Sequence, residues 1–186
     1  MQRVILACGI LLCFSFSTGK AEAPKGVTAQ AIAPKVKYSR EMIIKKISDT
    51  APAYNVNTEL ALAIAEVESS FNPNVSLFEP KFNTYSIGLF QMFIPTARTY
   101  GFKGSAQKLK DPDVNIRLGL VHLNKCVSRF GQDVGMVACC HNAGEYVEKS
   151  VCRNNRGVKD YMRKVVNSYD RWKLYNNKNV PVVTSL

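Results

Sequence analysis

Residues 60–69 read LALAIAEVES, and the placement of their two glutamates governs how the rest of the chain is read. At about 100° per residue, Leu60, Ile64 and Val67 fall on one stripe of a helix, with Ala61 and Ala63 at its margins. Glu68 lands inside that stripe, between Ile64 and Ala61. Glu66 lands on the far side, with Glu59 and Ser70. One carboxylate is therefore expected in the apolar interior and the other in water, where replacing it by Gln should be close to neutral. Burial favours the protonated form of a carboxyl group, and a proton held near neutral pH is what a general acid requires. A structural glutamate satisfied by backbone or hydroxyl donors would occupy the same place, so helix geometry alone leaves both roles open.

Working outward, Asn57 reads as the cap of this helix and Asn72-Pro73-Asn74 as its stop. Upstream, Ser39 caps a helix through Ile47 that has Glu41 in its first turn and Met42, Ile43 and Ile47 as apolar positions, until Pro52 interrupts it. Downstream, residues 74–90 read as loop on the strength of Pro80, Asn83 and Gly88. Pro95-Thr96-Ala97 opens a helix that Gly101 and Gly104 stop. Asp111-Pro112 begins a longer one, with Val114, Leu118, Val121 and Leu123 on its buried side, ending near Gly131. Asp133 to Ala143 is a further helix closed by Gly144, and Asp160 to Trp172 is the last. Alternating β-type runs are few and no internal repeat is visible. The expected domain is mostly α-helical, with short helices around one core helix. Residues 24–38, mixing Pro, Lys and Ala without a period, read as a linker or extended arm, and 176–186 as a loose polar tail.

Five blocks in chain order carry a resemblance. Glu68-Ser69-Ser70-Phe71-Asn72-Pro73 resembles the E-S-x-F-x-P signature of the soluble lytic transglycosylase (SLT) catalytic domain, and Ser86-Ile87-Gly88-Leu89-Phe90-Gln91 its S-x-G-L-M-Q block. Pro95-Thr96-Ala97 is similar to the P-x-T-A that follows, and Asp111-Pro112-Asp113-Val114-Asn115-Ile116 with Gly119 to the D-P-x-x-N-I-x-x-G helix. Asn142-Ala143-Gly144 matches the end of A-Y-N-A-G, and Tyr161 the tyrosine of the final helix. The match spans roughly residues 41–172. It implies a lysozyme-like helical domain over 39–175 with a long glycan-binding cleft.

The resemblance also implies a chemistry. Glu68 would protonate the glycosidic oxygen between N-acetylmuramic acid and N-acetylglucosamine in peptidoglycan, and the substrate's 2-acetamido group would stabilise the developing positive charge. Glu68 would then take the proton of the C6 hydroxyl, closing a 1,6-anhydro ring with no need for a second catalytic carboxylate, since a held hydroxyl reacts at high effective molarity. Ser86 and Gln91 would hydrogen-bond the N-acetyl and sugar groups, Gly88 would let the backbone approach the glycan, and Asn142 and Tyr161 would line the cleft near Glu68. Two positions depart from the pattern. Phe90 stands for the family's Met, a change of packing more than of chemistry. His141 stands for the tyrosine of A-Y-N-A-G, with Cys140 for the alanine before it. His141 can still donate a hydrogen bond to the acid.

The bulk of the chain suits this reading. Its 186 residues are enough for one domain with a core and a cleft, 46% hydrophobic and 21% charged, with a net charge of +11 that draws it to anionic surfaces. Arg3, the apolar run from Val4 to Phe16 and the small residues Ser17, Thr18, Gly19, Ala21 and Ala23 have the layout of a secretory signal peptide over residues 1–23. The apolar run is too short to span a bilayer comfortably, so no stable membrane insertion is expected after cleavage, and the protein is expected in the periplasm or outside the cell. Cys8 and Cys13 leave with that segment. The remaining four, Cys126, Cys139, Cys140 and Cys152, suit disulfides in an exported protein. A turn at Gly131 would bring Cys126 to Cys139 or Cys140 and leave the other for Cys152. A zinc site would need a ligand spacing that these cysteines, His122 and His141 lack, and no metal or cofactor is expected. Lys and Arg are scattered, which argues against nucleic acid. The expected partner is the peptidoglycan glycan strand, and the sequence identifies no secretion-system or envelope partner. A goose-type lysozyme-like hydrolase, or a non-catalytic wall-binding protein on the same fold, are the alternatives.

Overall fold

The computed structural model describes residues 37–179; the expected signal peptide, residues 24–36 of the arm and residues 180–186 of the tail lie outside them. The central element is α2 (Thr58–Ser69), capped by Asn57, whose side-chain oxygen accepts the Leu60 N–H at 2.9 Å. Every residue from Leu60 to Ala65 is buried, so the apolar stripe read from periodicity widens to the whole circumference, as in a helix that others enclose. Leu60, Leu62 and Ile64 each contribute about 1.5–3 kcal/mol by that burial. The alanines between them keep α2 thin, and α1 (Arg40–Thr50) and α7 (Arg156–Asn179) close in on it. Ser39 caps α1 as expected, and Pro52 sits in a short 3-10 turn that follows.

Downstream of α2 the chain departs from the loop expected over residues 74–90. Strand β1 (Ser76–Glu79) pairs antiparallel with β2 (Thr84–Ile87), and β2 pairs with β3 (Met92–Phe93). The register sets Leu77 opposite Ser86 and Phe78 opposite Tyr85, whose rings lie 5.1 Å apart. Pro80–Phe82 and a left-handed Asn83 make the turn. These strands are short and β1 is largely exposed, so no hydrophobic alternation marked them.

Helix α3 (Ile94–Thr99) leads to α4 (Pro112–Phe130), α5 (Val134–Ala143) and α6 (Lys149–Asn154). Asp111 and Asp133 cap α4 and α5 through their carboxylates, as their positions suggested. The buried side of α4 differs from the one expected: Leu118 and Leu123 are buried, Val114 and Val121 only partly, and the buried set also takes in Asn115, Ile116, Gly119, His122 and Cys126, among others. Helix α6 was not anticipated. The last helix starts at Arg156, before Asp160, and runs past Trp172 into the segment expected to be loose. There Asn176 donates to Glu59 at 2.8 Å. Among the described residues two disulfides, Cys126–Cys140 and Cys139–Cys152, tie α4 to α5 and α5 to α6.

Candidate active site

The glutamate singled out by its helical position stands in the last turn of α2, with its side chain 16% exposed. Two groups converge on one of its oxygens. Tyr161, from α7, donates its phenol O–H to Glu68 Oε1 at 2.5 Å, and His141 Nε2, from the last turn of α5, lies 3.2 Å from the same atom. Burial, and then the charge of Glu68, hold the Tyr161 phenol well above its ordinary range, so it remains a neutral donor. Oε2 takes no hydrogen bond from the described residues. His141 Nδ1 is the sealed side-chain polar atom without a partner among them, so Oε2 opens toward solvent.

Helix packing explains how residues 73 and 93 positions from Glu68 reach it. Helix α5 lies against both α4 and α7, and the Cys126–Cys140 bond fixes its last turn one residue before His141. Glu68 is joined to the hairpin by its neighbour: Ser69 Oγ sits 2.9 Å from the Leu89 carbonyl and 3.0 Å from that of Ala65. The turn between β2 and β3 thereby stands beside the acid.

That turn brings Ser86, Gly88 and Gln91 together. Ser86 is buried, and its hydroxyl lies 2.9 Å from Gln91 Oε1 and 3.2 Å from Glu79 Oε1, while Gln91 Nε2 donates to the Gly88 carbonyl at 2.8 Å. Gln91, half-buried and at φ +44°, is the member of the pair nearer to solvent. Gly88 has φ +80°, and a Cβ there would come within 2.3 Å of the Asn115 amide nitrogen and 2.8 Å of the Leu109 carbonyl. What demands glycine is thus the protein's own interior. Asn115 is fully buried and fully satisfied: it accepts the Phe90 N–H and donates to the carbonyls of Ile87 and Leu109, stapling the turn to α4. Asn142 is exposed, next to His141 at the end of α5.

Glu66 corrects the expectation that it faces water. Its carboxylate accepts from Arg40 at 3.1 Å, Ser168 at 2.6 Å, and Arg171 and Trp172 at 3.2 Å each. The far side of α2 meets α1 and α7 instead of solvent. Burial alone would raise this carboxyl, but the hydrogen bonds from Ser168, Arg171 and Arg40 outweigh it and leave the group below its ordinary range. Sequence reasoning gave no site role to Tyr100 and weighed His122 only as a zinc ligand; the fold brings both beside His141, and sets Glu79, in the stretch expected to shape glycan access, against Ser86. The signal that could have found His122 is its place one helical turn before Cys126, on the face that the disulfide turns toward α5.

A family description, the transglycosylase SLT domain, matches residues 45–171. Among solved structures, the chain is similar to the 70-kDa soluble lytic transglycosylase of Escherichia coli at 23% identity and a TM-score of 0.58, with 73% of this chain and 24% of that one covered. It is also similar to an inactive Glu-to-Gln mutant of the lytic transglycosylase Slt of Pseudomonas aeruginosa, at 21% identity and a TM-score of 0.59, covering 72% and 24%. A third similar structure is the 70-kDa enzyme in complex with bulgecin A, at 22% identity and 0.56. The matched region spans about a quarter of the length of these enzymes, and at such identities the likeness is one of fold. With the family description extending over more than half of its residues, this chain belongs to the transglycosylase SLT domain family.

Proposed function

We propose that the protein is a peptidoglycan lytic transglycosylase that cuts the β-1,4 bond between N-acetylmuramic acid and N-acetylglucosamine, with Glu68 as its single acid–base group. The observation that carries this reading is the asymmetry of the Glu68 carboxyl. Oε1 is occupied by Tyr161 and His141, while Oε2 opens to solvent. Oε2 is then the atom that holds the catalytic proton. It passes that proton to the glycosidic oxygen as the C1–O bond breaks, and the substrate acetamido group steadies the positive charge. Oε2 next receives the proton of the C6 hydroxyl as that oxygen closes on C1. No water is consumed, and Glu68 ends the cycle protonated again. Gln91, Asn142 and the backbone around Gly88 border the glycan; Ser86 braces Gln91.

Export to the periplasm or beyond belongs to the same proposal. A signal peptide over residues 1–23 and two disulfides suit an oxidising compartment. No described helix is long and apolar enough to cross a membrane.

The test is Glu68→Gln, which keeps size and shape but cannot exchange the proton. Turnover on purified wall is expected to fall at least about a hundredfold while the fold survives. Mass analysis of wild-type products should show 1,6-anhydromuropeptides, lighter by one water than hydrolysis products. Reducing-end products would move the assignment to a hydrolase, and full activity in a folded Gln variant would end it.

A further inference from the structure

On the face of α2 that carries Glu66, a cavity of about 590 Å3 lies between α1 and α7. Arg40, Ile44 and Lys45 line it from α1, and Arg171, Trp172 and Tyr175 from α7, with Glu66 between them. Two residues of helix put Glu66 about 200° around α2 from Glu68, so this space is separate from the opening at the acid.

The two arginines are held in place before anything binds. Glu66 accepts from Arg40, Ser168, Arg171 and Trp172, about as many hydrogen bonds as a carboxylate can take. The Arg40 guanidinium also donates to the Ser70 carbonyl at 3.1 Å and lies 4.4 Å from the centre of the Phe71 ring. Arg171 also donates to the Asn167 carbonyl at 3.2 Å. A guanidinium has five N–H groups, so donors remain on both, and the side chains are 46% and 65% exposed. Lys45 is paired with Asp49 at 2.9 Å. Trp172 stands edge-on to Phe71 at 5.8 Å and to Tyr175 at 5.7 Å, which fixes the indole as an apolar wall beside Ile44.

The lining sets three cations against two carboxylates, Glu41 and Glu66, and so carries one positive charge in excess. That suits a monoanion; a dianion such as a phosphate ester would meet the repulsion of both carboxylates. Planar guanidinium groups match a carboxylate in shape and strengthen its hydrogen bonds. The volume is that of a small-molecule site, about 300–1,000 Å3, so it takes a few residues of peptide and not the face of a folded protein. The peptide stems of peptidoglycan have this chemistry: they are short, partly aliphatic, and end in a free carboxylate. We propose that the cavity is a second contact with the wall, in which Arg40 and Arg171 hold the terminal carboxylate of a peptide stem and Ile44, Trp172 and Tyr175 pack against its aliphatic part. The proposal rests on the wall as the protein's substrate and adds a site for the part of it that the acid does not touch.

Trp172 is the chain's single tryptophan, so its fluorescence reports on this cavity. The test is a titration of the disulfide-bonded protein with a synthetic stem pentapeptide that has a free C-terminal carboxylate. The peptide has no glycosidic bond, so binding is read whether or not the protein cuts wall. The expected result is a saturable change, with affinity falling at least about tenfold when the C-terminus is amidated and falling also as salt is raised. Arg171→Gln, at an exposed side chain, should weaken the free peptide by a similar factor. Tyr175→Glu leaves both arginines and sets a negative charge on the cavity wall; it should weaken binding as much, and it decides the matter should Arg171→Gln not fold. No saturable change, equal affinities for free and amidated peptides, or unaltered binding in the folded variants overturns the proposal. An amidated all-L peptide of equal length, with an aspartate side chain as its one carboxylate, is expected to bind more weakly than the stem. Tighter binding would overturn the proposal and assign the cavity to a protein partner. If the stem binds as expected but purified wall is left uncut, the cleavage reading fails while the contact with the wall stands.

Discussion

Glu66 and Glu68 are two residues apart on one helix, yet α2 turns Glu68 toward Tyr161 and His141 and Glu66 toward a pair of arginines. The Glu66 side chain is 24% exposed and bridges Arg40 on α1 to Arg171 on α7. Glu66→Gln keeps the shape but gives up two charge-assisted bonds, and partial exposure discounts what they contribute. The expected loss is about 1–2 kcal/mol at pH 7, read from urea denaturation. Its pH dependence follows from the lowered folded-state value. The contribution is complete above the unfolded carboxyl value of about 4.3 and is lost as pH falls through the lowered folded value. Wild type and variant should therefore differ fully at pH 7 and converge at strongly acid pH. A difference that persists unchanged into acid would show that the carboxylate's charge is not what matters.

At the scale of elements, the site depends on how closely α4 approaches the turn between β2 and β3. Phe90, fully buried, lies over Gly119 of α4, where an added Cβ would fall 2.4 Å from the ring. Alanine is the better helix former by about 1 kcal/mol, but the ring has no room to retreat because Asn115 pins the Phe90 backbone. The clash is expected to win, and Gly119→Ala should destabilise by about 1–3 kcal/mol. Phe90→Leu removes the ring edge, so the double variant should lose less than the sum of the two singles in thermal unfolding. Strictly additive losses would mean that the two residues do not share the space. The close approach of helix and turn also accounts for Gly88, whose missing side chain makes way for Asn115.

Over the whole molecule, the two disulfides join α4, α5 and α6 into one unit beside the acid. Their sequence separations of 14 and 13 are nearly equal, so removal of either pair by Cys→Ala should cost a similar amount, about 3 kcal/mol in the chain-entropy account. Their effects on turnover should differ. Cys126–Cys140 adjoins His141 and lies one turn from His122, whereas Cys139–Cys152 anchors α6, which supplies no group that touches Glu68 among the described residues. Losing the first pair is expected to lower wall-cutting activity well below that of the second at matched folded fraction. Equal activities in the two variants would detach the disulfides from the chemistry.

Much of this was legible in the residues because it is local. Periodicity located α2 and the side on which Glu68 lies, and the caps Ser39, Asn57, Asp111 and Asp133 marked helix starts, since a side chain that bonds an N–H two or three residues on needs no other part of the chain. The spacing of ordered blocks pointed to the family. What only the tertiary structure decided are contacts between distant positions: Glu66 with Arg171, His122 with His141, Asn115 with the turn before it, and the pairing of β1 with β2. A helical wheel divides inside from outside, but it cannot say whether the outside meets water or another helix. For Glu66 that difference turns an expected surface carboxylate into a junction, because the partners that hold it come from α1 and from α7, about a hundred residues away.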